Sequence, residues 1–309
     1  MRNTVLTILC TITVSVGAAN GADTFVSFDY PGAASTTAMG INADGMVVGS
    51  YVDNTGKQHG FLLSGGQFSS IDYPGALSTD ARGINSQGDI VGVHVDVAGL
   101  PGGGDHGYLL QQGNFTNLDY PGHLNTITQR INDDGQIVGC YHDTDTMGTM
   151  FGMLMSSGNF SAVSMQASMS NGVLPGAGLI AGFYTDMMSG IQHAFLASNG
   201  NIASFDFPFS TATGVWDMNP SAEVVGNYID AAKRTHGYFL HPDDAIATFG
   251  INPQLGVSGT FTFASIDYPG ASLTRAYGIN IHGDIVGNYV DSAGKTHAYL
   301  LSRGRHHQN

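Results

Sequence analysis

Short apolar runs recur along the whole chain, four to seven residues long, each closed by Gly, Asn, Asp or Pro. Val, Ile, Tyr and Phe dominate them, often alternating with polar residues. The 3.6-residue spacing of an amphipathic helix is absent. The predicted elements are therefore short strands joined by tight turns.

The runs belong to one repeated four-part phrase: Gly-Ile-Asn, then Val-Val-Gly-x-Tyr-x-Asp, then His-Gly-Phe-Leu, then Phe-x-x-Ile-Asp-Tyr-Pro-Gly. The glycine of the second part falls at Gly49, Gly92, Gly139, Gly182, Gly226 and Gly287, in steps of 43, 47, 43, 44 and 61 residues. Asn42, Asn85, Asn132, Asn219 and Asn280 precede it at a fixed interval, and Pro175 stands there in the fourth copy. Asp53, Asp96, Asp143, Asp186, Asp230 and Asp291 follow it. His59, His106, His193, His236 and His297 open the third part, and Met150 replaces the histidine in the third copy. Asp29-Tyr30-Pro31, Asp72-Tyr73-Pro74, Asp119-Tyr120-Pro121, Asp206-Phe207-Pro208 and Asp267-Tyr268-Pro269 close the phrase.

Four strands per repeat of this length indicate propeller blades. The expected fold is all-β, a six-bladed β-propeller of four-stranded blades. The chain after residue 22 opens on a fourth-type strand and ends on a third-type one, so the N-terminal strand should complete the last blade and remove the open edges. The 61-residue step places an insertion at about 241–260, between the third and fourth strands of blade five. The propeller is expected to occupy 23–309 as a single domain.

His193-Ala194-Phe195 and the repeated Gly-Ile-Asn and Val-Gly-x-Tyr phrases resemble the extracellular HAF repeats, and the likeness runs over essentially all of the chain after residue 22. The resemblance implies bacterial export. Relatives often carry a C-terminal sorting anchor, whereas residues 303–309 contain no apolar tail, so a soluble product is expected.

Residues 1–22 fit a signal peptide: Arg2, an apolar stretch over 5–16, then Gly17, Ala18, Ala19, Gly21 and Ala22. The stretch is short for a bilayer span. Secretion to the periplasm or beyond is expected, without a membrane span in the mature chain. Removal of Cys10 with this segment would leave Cys140 alone, excluding an intramolecular disulfide.

Composition narrows the function classes. The 44 glycines among 309 residues are about twice the usual share, which suits many tight turns. Ten Lys+Arg against 24 Asp+Glu give a net charge of −14, which argues against nucleic acid as a partner. A monomer is expected, with an extracellular glycan, another anionic ligand or a protein as its partner.

The repeated Asp and His sit at hairpin ends, where such side chains ordinarily bond local backbone. They read as blade-building residues, and no metal site or cofactor is expected. Gly102, Gly104 and Gly107 match a dinucleotide-binding glycine spacing, but they lie in a hairpin instead of opening a helix. Met147, Met150, Met153, Met155, Met165, Met169, Met187 and Met188 read as core filling where the repeat is most eroded.

Positions that break the repeat point to a ligand site. Counting eight residues past each Pro gives Met39, Arg82, Gln129, Trp216 and Tyr277, with Gly172 by register. Counting six gives Thr37, Asp80, Ile127, Gly214 and Arg275, with Ser170 by register; Arg130 lies one residue past Gln129. These positions are expected in the loops from fourth strands into first strands, at the channel mouth. Arginine pairs with carboxylate or sulfate and aromatic faces suit sugar rings. The candidate ligand-binding set is Asp80, Arg82, Gln129, Arg130, Trp216, Arg275 and Tyr277. A lyase acting on acidic polysaccharide is the enzymatic alternative, with Arg82 or Arg275 neutralising a uronate and Tyr277 moving the proton. The third alternative is a structural or protein-binding surface component.

Overall fold

The computed structural model describes residues 23–96, 104–144, 150–176, 178–198, 201–242, 250–252, 256–258 and 261–303. The proposed signal segment 1–22, with Cys10, lies outside them, as do Gly102 and Met147. Six four-stranded antiparallel sheets are present, a six-bladed β-propeller. Blade one is β2 (Ser35–Ile41), β3 (Val47–Val52), β4 (Gln58–Ser64) and β5 (Gln67–Ile71). Blade two is β6 (Ser78–Ile84), β7 (Ile90–Val95), β8 (Asp105–Gln111) and β9 (Asn114–Leu118). Blade three is β10 (Asn125–Ile131), β11 (Ile137–His142), β12 (Phe151–Ser156) and β13 (Asn159–Gln166). Blade four is β14 (Ser168–Val173), β15 (Ile180–Thr185), β16 (Gln192–Ser198) and β17 (Asn201–Phe205). Blade five is β18 (Ala212–Met218), β19 (Val224–Ile229), β20 (Thr235–Pro242) and β23 (Phe261–Ile266), with the hairpin β21 (Gly250–Asn252) and β22 (Gly256–Ser258) between its last two strands. Blade six is β24 (Leu273–Ile279), β25 (Ile285–Val290) and β26 (Thr296–Ser302), and β1 (Thr24–Phe28) completes it by pairing Thr24 with Ser302 and Phe28 with Ala298. Among the described residues no helix is long and apolar enough to cross a membrane.

Each repeated residue has a mechanical role. In every blade the inner strand bulges by one residue, at Met39, Arg82, Gln129, Asn171, Trp216 and Tyr277. The phrase glycine lies opposite the bulge, and the third-strand Phe61, Tyr108, Phe195, Tyr238 or Tyr299, fully buried, covers it. Each phrase asparagine folds the turn into the second strand: Asn42 Oδ1 accepts the amides of Asp44 and Met46 at 3.1 and 3.0 Å. The Nδ2 groups then donate to the next blade's asparagine carbonyl, Asn42 to Asn85, Asn85 to Asn132, Asn219 to Asn280 and Asn280 to Asn42. Pro175 has no amide to offer, and there Gly176 N bonds Asp134 Oδ2 at 2.9 Å instead.

On the opposite face the closing Tyr of the phrase stacks on a second-strand ring, Tyr30 on Tyr51 and Tyr268 on Tyr289, both with centroids 3.6 Å apart. A histidine stacks beneath and bridges two carboxylates. His59 contacts Asp72 at 2.6 Å and Asp53 at 3.3 Å; His236 contacts Asp267 and Asp230, and His297 contacts Asp29 and Asp291. The hairpin carboxylates also accept turn amides, as Asp53 Oδ1 does from Thr55 and Lys57. The Thr55 hydroxyl on Asp53, and backbone amides on Asp143, Asp186, Asp230 and Asp291, hold these carboxylates below their ordinary range, Asp230 at about 2. A depressed folded-state pKa contributes stability above the unfolded value of about 3.9, lost as pH falls through the folded value. The melting temperature should therefore drop between about pH 4 and pH 2. The triple variant D53N/D230N/D291N, which keeps the turn acceptors without the charges, should show a flatter profile by thermal circular dichroism. An equally steep fall in the variant would refute this origin.

Met153 and Met169 fill the core as expected, but Met187 and Met188 are exposed on the blade-four hairpin and do not. Cys140 is fully buried beside Ile127 and Phe183, and burial pushes its thiol up to about 12.

Candidate ligand site in the central channel

The residues that break the repeat lie on the inner strands themselves, not in the preceding loops where the sequence reading put them. The connecting loops are short: each inner strand begins four residues past the Pro, at Ser35, Ser78, Asn125, Ala212 and Leu273, so positions six and eight are its third and fifth residues. In blade four the bulge residue is Asn171 and the residue two before it is Met169, one position ahead of the register expectation of Gly172 and Ser170. The ring around the channel is therefore Thr37, Asp80, Ile127, Met169, Gly214 and Arg275, followed by the six bulge residues.

Arg130 crosses this ring. It is 5% exposed, and its guanidinium donates to four main-chain carbonyls: Nη1 to Arg82 and Gln129 (both 2.7 Å), Nη2 to Met39 (2.9 Å) and to Tyr277. Its Nε lies 3.3 Å from Asp217 Oδ2, and that carboxylate also accepts the amides of Met218 and Ile279. One arginine thus ties blades one, two, three and six together, with blade five joined through Asp217. Burial pushes the Asp217 carboxyl up and the Arg130 guanidinium down, and each charge opposes the shift of the other. Asp217 was missed at the sequence level. The signal was present: Arg130 and Asp217 replace the glycine of Gly-Ile-Asn in blades three and five, with opposite charges.

This pair separates two mouths. On the asparagine-turn side a cavity of about 160 Å³ has Ile41, Ile84, Ile131 and Ile279 in its wall, with Arg130 and Asp217 also lining it. Toward the Tyr-Pro-Gly loops lie the other predicted residues. Asp80 Oδ2 accepts from Arg82 Nε at 2.9 Å. Trp216 meets Tyr277 edge to face at 5.0 Å and Phe183 at 5.8 Å. Gln129 is fully buried with Nε2 on Met169 Sδ at 3.0 Å. Among the described residues no carboxylate comes within ion-pairing distance of Arg275. Burial raises the Tyr277 hydroxyl pKa, and the nearby Arg275 opposes that only in part. The site therefore brings together Asp80, Arg82, Gln129, Trp216, Arg275 and Tyr277, while Arg130 is occupied in joining the blades. It can offer hydrogen bonds and an aromatic edge. The raised Tyr277 pKa works against the proton transfer that the lyase alternative asks of it.

No protein-family model matches this chain, so the HAF resemblance stands on its own residues. No curated protein matches it either. Solved structures do share its fold. A protein of unknown function from Dyadobacter fermentans is 11% identical with a TM-score of 0.55, covering 92% of this chain and 98% of that one. A mutant lectin of Aleuria aurantia in complex with Fucα1-6GlcNAc is 10% identical with a TM-score of 0.52, covering 88% and 95%. A mutant of AofleA from Arthrobotrys oligospora is 11% identical with a TM-score of 0.50, covering 94% and 90%. At these identities the likeness is one of fold.

Proposed function

We propose that this chain is an exported, monomeric, non-enzymatic carbohydrate-binding module of the HAF-repeat kind, released from residues 1–22, which holds a saccharide at the loop-side mouth of its channel. The observation that carries the reading is the convergence of Asp80, Arg82, Trp216, Arg275 and Tyr277, side chains the repeat does not dictate, around one opening of an otherwise repetitive ring. Aromatic rings beside paired hydrogen-bonding groups suit a sugar site. The Aleuria lectin, solved with a fucosylated disaccharide, supplies a precedent for this fold carrying sugars.

Native gels cast with soluble polysaccharides or neoglycoproteins test the proposal. The wild-type chain should be retarded by at least one glycan, and R275Q/Y277F should lose about tenfold or more in affinity for it. Unretarded migration in every glycan gel would sink the reading. The lyase alternative, with Arg82, Arg275 and Tyr277 as its residues, has no observation in its favour beyond their proximity.

A protein-binding role has one observation behind it. Met187 and Met188 (99% exposed), Ile191 and Phe209 (92% exposed) all lie on hairpins and loops of blades four and five. Phe209 stands at φ +62°, where blades one, two, three and six have Gly32, Gly75, Gly122 and Gly270. A side chain in that region costs roughly 1–2 kcal/mol, partly offset by glycine's greater unfolded-state entropy. Phe209→Gly should accordingly raise stability by about 0.5–1 kcal/mol in urea unfolding. Destabilisation would mean that the phenylalanine packs usefully in the folded state.

A further inference from the structure

The channel mouth has an imbalance of hydrogen-bonding groups. Asp80, Gln129, Asn171 and Asn288 are each more than nine-tenths buried, and each keeps one side-chain oxygen without a partner: Asp80 Oδ1, Gln129 Oε1, Asn171 Oδ1 and Asn288 Oδ1. Two of the amides have their orientation set by what their nitrogens do. Asn171 Nδ2 donates to the Val215 carbonyl at 2.8 Å, and Asn288 Nδ2 donates to Thr37 Oγ1 at 3.3 Å. Asp80, Gln129 and Asn171 stand on adjacent inner strands, and Asn288 is the cross-strand partner of Arg275. Arg130 Nε, a buried donor without a hydrogen bond, already faces Asp217. Four buried acceptors around the mouth are thus unmatched, and buried acceptors are costly to leave unpaired.

We infer that the mouth is built for a neutral, hydroxyl-rich saccharide unit whose O–H groups donate to Asp80, Gln129, Asn171 and Asn288. The inference rests on the carbohydrate reading above and names its ligand class. A sulfated or uronate chain brings mainly acceptors, which four acceptor oxygens cannot satisfy. A cationic ligand would meet Arg82 and Arg275 at the same opening. Hydroxyl groups answer the acceptors without a charge conflict, and the Trp216 and Tyr277 rings add apolar surface beside them.

Trp216 is the only tryptophan of the chain and reports on the site directly. Its fluorescence should be titrated with neutral methyl hexosides and deoxyhexosides, with hexuronates and with sulfated sugars, across a roughly tenfold range of salt. The expected result is a saturable shift with a neutral sugar, insensitive to salt, whose affinity falls about tenfold or more in Asp80→Asn. Gln129→Met, close in volume, should weaken the same sugar and provides a second reading if Asp80→Asn does not fold. A response confined to uronates or sulfated sugars, collapsing with salt, would overturn this inference and leave the carbohydrate reading standing. Retardation in glycan gels without any change at Trp216 would also overturn it, placing the sugar elsewhere on the ring. If no saccharide is bound in either assay, both fail.

Discussion

Arg130→Met is expected to destabilise the propeller by about 3–5 kcal/mol, the range for a buried ion pair stripped of one partner. The substitution is close to the arginine in length and keeps most of its apolar volume, so packing loss alone would cost far less. What disappears is charge and five donor contacts. Asp217 is left as an unpaired carboxylate at the centre of the ring, still accepting the Met218 and Ile279 amides but without its counter-ion. The carbonyls of Met39, Arg82, Gln129 and Tyr277 lose their common donor. The double variant R130M/D217L removes the stranded charge and should recover a substantial part of the loss. Urea unfolding of the wild type and both variants checks this. A cost under about 1 kcal/mol for R130M, or no recovery in the double variant, would mean that Arg130 does not hold the blades together.

Gly139→Ala and Gly226→Ala are expected to prevent stable folding, each costing about 3 kcal/mol or more as an extreme case of overpacking. A Cβ at position 139 would lie 1.9 Å from the Ile127 carbonyl oxygen, and one at 226 would lie 2.1 Å from the Gly214 oxygen. Both obstacles are backbone, and the bulge that brings them close cannot relax without losing its strand pairing. At 226 the buried Tyr238 ring closes the other side, with atoms at 2.6 and 2.8 Å. Gly66→Ala is the control. It has a positive φ of +77° and no atom within 4 Å of an added Cβ, so it should cost only about 1–2 kcal/mol. Soluble yield and thermal melts of the three variants decide the matter. A Gly139→Ala chain that melts like Gly66→Ala would show that the inner strand can yield.

The blades were legible because their residues act locally. The phrase asparagine folds a turn with its own neighbours, the phrase carboxylate closes a hairpin over four residues, and the closing Tyr amide bonds a Thr six residues on, as Tyr30 does with Thr36. Interactions of such short range leave a pattern at fixed spacing, and repetition made that pattern readable. Closure by β1 was readable too, since a repeat that starts on its fourth strand and stops on its third has one way to remove both edges. The site was only half legible. The count from each Pro found the residues around the channel, yet it assigned them to loops, because the loops end only four residues past the Pro, which composition does not reveal.

By itself, then, the sequence determined the strand order, the number of blades, the closing strand and, in every blade but the fourth, the side chains around the axis. Tertiary structure alone decided which of those side chains are spent and which remain available. Arg130 and Arg82 are both arginines in the same segment type of adjacent blades. One is consumed by four carbonyls and a carboxylate from across the ring, and the other stays at the mouth beside Asp80. That difference depends on contacts between residues as far apart as Arg130 and Tyr277, 147 positions along the chain, which only closure of the ring brings together.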